Sequence, residues 1–72
     1  MDAKELAHAC IRVKDANIQP PLIALVVPGK YTNNKRVKLG KGKAPLGNIV
    51  EWNKDSVIAL FDVDDILMWL FG

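Results

Sequence analysis

Few residues in this chain could do covalent chemistry. It has one cysteine, Cys10, one histidine, His8, one serine, Ser56, one threonine, Thr32, and one tyrosine, Tyr31. Nucleophilic catalysis needs a nucleophile, a base and a group that orients the base, all within hydrogen-bond reach. Cys10 falls on the apolar stripe of an N-terminal helical segment, where burial disfavours the thiolate and leaves a thiol inert. His8, two positions away, points to a different side of the same helix. A Cys–His couple is therefore not expected, and no residue is assigned a catalytic role; the chain reads as a non-enzyme. Asp62, Asp64 and Asp65 form an acidic cluster, but they run straight into Ile66-Leu67-Met68 without the further oxygen ligands and loop glycine usual for a divalent cation. Capping of a C-terminal helix explains them better. A structural zinc site needs about four ligands, and Cys10 and His8 are the only soft ones. Neither metal nor cofactor is expected.

Charge is the more informative property. Residues 30–43 carry Lys30, Lys35, Arg36, Lys38, Lys41 and Lys43 with no acid, whereas residues 51–72 carry Glu51, Asp55, Asp62, Asp64 and Asp65 against Lys54 alone. The formal net charge of +2 thus conceals a segmental dipole. Clustered cations create a local field that attracts phosphate. Tyr31, with Asn33 and Asn34 beside it, adds a surface for stacking and hydrogen bonding to unpaired bases. Lys30, Tyr31, Lys35, Arg36, Lys38, Lys41 and Lys43 are therefore the candidate nucleic-acid-binding residues, gripping phosphate rather than reading bases. Basic surface turns also serve solubility alone, and +2 is modest for a dedicated DNA binder. Gly40-Lys41-Gly42-Lys43 lacks the glycine spacing and the Lys-Ser/Thr ending of a phosphate-binding P-loop.

These residues need elements to hold them. Asp2 as N-cap, Glu5 three positions on, and Ala3, Leu6, Ala7, Cys10 and Ile11 at helical spacing predict a helix over residues 2–16, closed off before Gln19 by Pro20-Pro21. Leu22 to Val27, bounded by prolines, predicts a buried strand. Arg36-Val37-Lys38-Leu39 alternates as a half-exposed strand does. Leu46–Trp52 and Ser56–Phe61 are rich in β-branched and aromatic residues and are joined by Asn53-Lys54-Asp55, which suits a hairpin. Asp62, with Asp65 at the third helical position, predicts a final short helix over residues 63–72. Seventy-two residues allow one domain: helix and linker over 1–19, antiparallel sheet over 20–62, helix over 63–72. The expected class is α+β, a small antiparallel sheet of about four strands flanked by an N-terminal and a short C-terminal helix.

Val37-Lys38-Leu39-Gly40, Gly42, Leu46-Gly47-Asn48-Ile49-Val50-Glu51-Trp52 and Val57-Ile58-Ala59-Leu60-Phe61 together resemble the small SH3-like barrels, including the KOW type, over roughly residues 22–62. The long Gly40–Pro45 turn, a first strand without polar alternation and the flanking helices depart from that pattern. Short chains of this build are similar to accessory proteins of phages and mobile elements, and the basic segment gives the expectation of a nucleic-acid- or nucleoprotein-binding accessory role.

A rival expectation is a protein-interaction module, such as a phage-type inhibitor or adaptor of a host protein; a subunit of a larger particle is a more distant third. The last helix is apolar on more than one side, so Met68, Trp69 and Phe71 are candidate interface residues, for a homodimer or another partner, as well as candidates for the core. The longest apolar run is far short of a bilayer span of ~20 residues. Charged residues interrupt the N-terminus where a signal peptide would need an apolar stretch. With one free thiol, these features lead to the expectation of a cytoplasmic protein that does not contact membrane.

Overall fold

Local sequence rules set the ends of each element. In the computed structural model, which describes residues 2–72, α1 spans Ala3–Asp15. Its N-cap is Asp2, whose carboxylate accepts from the Glu5 amide at 2.8 Å. The helix closes on Ala16, and Asn17 takes the left-handed conformation (φ 55°) that ends many helices. Strands β1 (Leu22–Pro28), β2 (Arg36–Lys38), β3 (Leu46–Trp52) and β4 (Ser56–Asp62) follow, and then α2 (Val63–Phe71). Asp62 caps α2, its carboxylate accepting from the amides of Asp64 at 2.8 Å and Asp65 at 3.4 Å. The domain is α+β, with two helices flanking one open antiparallel sheet.

The strands lie in the order β1-β4-β3-β2, so β1 and β2 are the two edges. Side chains alternate across the sheet. One face carries Leu25 and Val27 of β1, Val57, Ala59 and Phe61 of β4, Ile49 of β3 and Val37 of β2, which form one core with Leu6 and Cys10 of α1 and Val63 and Ile66 of α2. Both helices therefore cover the same face. On the opposite face the register aligns Ala24, Leu60, Asn48 and Arg36 in one row across all four strands, with Leu22 opposite Asp62 and Lys38 opposite Leu46 further along. Gly47 is obligatory in β3: a Cβ there would lie 2.7 Å from the Phe61 ring and 2.8 Å from the Leu60 carbonyl.

Burial differs from expectation in three places. β1 is not buried on both faces: Leu25 and Val27 are, but Leu22, Ala24 and Val26 are exposed, Val26 at 65%. As an edge strand packed on one face only, it alternates in exposure although its side chains are uniformly apolar. Ile11 lies outside the buried stripe of Leu6, Ala7 and Cys10 because α2 and the sheet cover only part of α1. In α2, Ile66 and Val63 are buried and Leu67 and Leu70 pack at the core margin, but Met68 (71%) and Phe71 (73%) are exposed. Within one chain, α2 is covered on a single side. Among the described residues no helix is long and apolar enough to cross a membrane.

Candidate nucleic-acid interface

The basic segment surrounds edge β2. Val37 is buried and faces Gly47 across the ladder, which directs its neighbours Arg36 and Lys38 to the open side. Arg36 stands beside Asn48, and Lys38 beside Leu46. The backbone has an equally definite polarity. The Ile49 amide donates to the Lys35 carbonyl at 2.9 Å and the Leu39 amide to the Pro45 carbonyl at 2.9 Å. Both pairs share the register of Val37 with Gly47. Odd-numbered residues of this strand therefore bond inward to β3, and Arg36 and Lys38 turn their N–H groups outward. Each of these two residues offers an unshared backbone donor and a cationic side chain on one exposed edge.

The loop after β2 is fastened to it. Lys38 Nζ donates to the Gly42 carbonyl at 2.7 Å, and Gly42 has φ 66°, a conformation glycine tolerates readily. Lys41 and Lys43 project from this loop and are exposed. Lys43 and Pro45 line a hollow of about 570 Å³ with Asp65, Met68 and Trp69 of α2. Trp69 also reaches Gly40, where a Cβ would come 3.2 Å from its ring. Lys35 lies just before β2 and is exposed, as is Lys30 after β1. Among the described residues none of the six cations forms an ion pair; the ion pair present joins Lys14 to Asp64 at 2.9 Å and bridges the two helices.

Tyr31 is placed differently from a free stacking platform. Its ring lies against Gly29, whose Cα would carry a Cβ 2.6 Å from Cε2, and its inner edge packs on the core. Gly29, at φ 131°, has no Cβ to obstruct it. The half-exposed aromatic of the sheet is instead Trp52, at the end of β3. It lies opposite Val57 at the strand end, and its residue type alone does not distinguish it from a core aromatic. Leu46 and Val50 are exposed as well; Val50 is the extra residue where the β3–β4 register shifts between Ile49 and Glu51.

The other chemistry-bearing groups stay apart. Cys10 is fully buried, and burial pushes its thiol above the usual range, while His8 is exposed. Asp62 is engaged in capping and Asp64 in the ion pair with Lys14. Among the described residues no three His, Cys, Asp or Glu side chains come together in a metal-binding arrangement. No family model, curated protein or solved structure matches the chain.

Proposed function

We propose that this domain is a non-enzymatic nucleic-acid-binding accessory module that grips the phosphate backbone along edge β2. One observation carries this reading: among the described residues Arg36 and Lys38 combine outward backbone N–H groups with cationic side chains that form no ion pair, on a single exposed strand edge. Phosphate oxygens accept from both kinds of donor. Lys35, Lys41, Lys43 and Lys30 extend the positive field along a backbone path. Such contacts give affinity with little sequence preference and steep salt dependence. Fluorescence anisotropy with labelled single-stranded and duplex oligonucleotides tests it. Binding at low salt that is lost as salt rises is expected, and no binding to either probe at low salt overturns it.

A second reading has its own observation. Ile11, His8 and Ala7 of α1 and Leu70 and Phe71 of α2 line an apolar hollow of about 360 Å³, with exposed Met68 on the same helix. This surface fits a protein partner, as the adaptor or inhibitor reading requires. Stoichiometric capture of one protein, insensitive to nuclease and abolished by Phe71→Glu, would favour it over nucleic acid.

A further inference from the structure

We infer that β1, the opposite edge of the sheet, is a self-association edge on which a second copy of this chain pairs antiparallel, strand against strand.

The backbone defines what β1 offers. The Gly29 amide donates to the Asp55 carbonyl at 2.8 Å, and the Val63 amide to the Pro21 carbonyl at 2.8 Å. Both pairs continue the register of Leu25 with Ala59. Odd-numbered residues therefore bond to β4, and Leu22, Ala24, Val26 and Pro28 turn their backbone groups outward. The Leu22 amide is closed locally on the Pro20 carbonyl at 2.9 Å, and Pro28 has no N–H. The free donors are then Ala24 and Val26, flanked by free carbonyls on both sides. A two-fold axis at Leu25 sets Ala24 of each copy opposite Val26 of the other, so each free N–H meets a free carbonyl. The prolines and the closed Leu22 amide end the pairing at both limits.

Strand edges are normally guarded by brevity, by charge, by a bulge or by a covering element. β2 has the first two: it is three residues long and carries Arg36 and Lys38. β1 has none of these between its ends, and its one further guard is the outward-facing proline Pro28 at its last position. It runs for seven residues, its ladder to β4 has no register shift, and no charged residue occurs from Ala16 to Gly29. Neutrality also selects the occupant. β1 itself offers a charged strand no counter-charge, whereas an identical strand in this register sets Ala24 against Val26 and Leu22 against Pro28, all uncharged. Their exposed side chains would meet across the junction on the open face and lose water together.

Sedimentation velocity over a micromolar to high-micromolar range tests this on the wild type, Val26→Pro and Ala24→Lys, with amide exchange at high and low concentration. Neither substitution removes an internal hydrogen bond, because both positions face outward, and circular dichroism checks that each variant is folded. A concentration-dependent doubling of mass is expected for the wild type and its loss in both variants, with Ala24 and Val26 amides protected only in the concentrated sample. If a variant fails to fold, the wild-type amides decide the matter. A wild type that stays monomeric at high micromolar concentration, or a dimer whose Ala24 and Val26 amides remain unprotected, would overturn the inference.

Discussion

Edges β1 and β2 bound the same sheet and share one backbone rule: in each, the even-numbered residues point their N–H groups away from the sheet. They differ in what stands beside those donors. At β1 it is Ala24 and Val26, small and neutral; at β2 it is Arg36 and Lys38. A bare row of donors and acceptors suits another strand, while donors beside cations suit phosphate. On the proposed readings, identical backbone geometry acquires two specificities from four side chains. The core under the sheet contributes to neither except by holding both edges in place.

The largest expected effect lies in that shared support. Phe61 of β4 is fully buried, its ring against Gly47 of β3. Phe61→Ala should cost about 3–5 kcal/mol, enough to unfold a domain this small at both edges, as read by denaturant titration. Gly47→Ala should cost about 1–3 kcal/mol through overpacking against Phe61 and the Leu60 carbonyl. Because Gly47 faces Val37, it should loosen β2 more than β1, and amide exchange would show faster opening at Leu39 than at Leu25. Equal loosening of both edges would mean that they are not independently seated.

Substitutions at β2 separate binding from stability. The Lys35/Arg36/Lys38 triple alanine variant should keep its stability to within about 0.5 kcal/mol, since all three side chains are exposed, yet lose most oligonucleotide affinity. Lys41→Ala with Lys43→Ala should weaken binding less, because loop side chains lose more entropy when they engage. Lys38→Ala should exceed Lys41→Ala, as it also releases the loop from its bond to Gly42.

Much of this arrangement was legible in the residues, and the limits have physical causes. Helix starts at Asp2 and Asp62 were readable because capping is local, and the alternation of Val37 with its cationic neighbours placed Arg36 and Lys38 on the outer face. The exposure of Val26 was not readable: an apolar run looks the same whether one face or both are covered, and coverage is decided by distant elements. The strand order, which makes β1 an edge, depends on the same long-range closure. Tyr31 packs against Gly29, where the missing Cβ leaves space for its ring, a contact that residue types alone do not reveal. The bulge at Val50 left no mark in the alternation of β3.

Smaller effects probe the helix layer. Burial raises the Cys10 pKa in the folded state, so the folded form holds that proton more tightly than the unfolded chain does. The resulting stabilisation is complete below the unfolded thiol's pKa and is lost as pH rises through the folded value. The melting temperature should therefore fall on the alkaline side, with Cys10→Ser lacking that component, and the folded thiol should react slowly with alkylating reagents near neutral pH. Smallest of all, Asp64→Asn should cost less than about 1 kcal/mol, because the Lys14–Asp64 pair is solvent-exposed and screened.

The most direct test of the phosphate-gripping edge is the salt dependence of oligonucleotide affinity for the wild type beside the Lys35/Arg36/Lys38 triple alanine variant. Each phosphate contact contributes roughly 0.7 to the slope of log affinity against log salt on single strands. The wild type should bind with a slope reflecting several contacts, and the variant's slope should fall by about 2 if all three cations engage. Equal slopes for the two folded proteins, or no wild-type binding at low salt, would contradict the assignment of phosphate to edge β2.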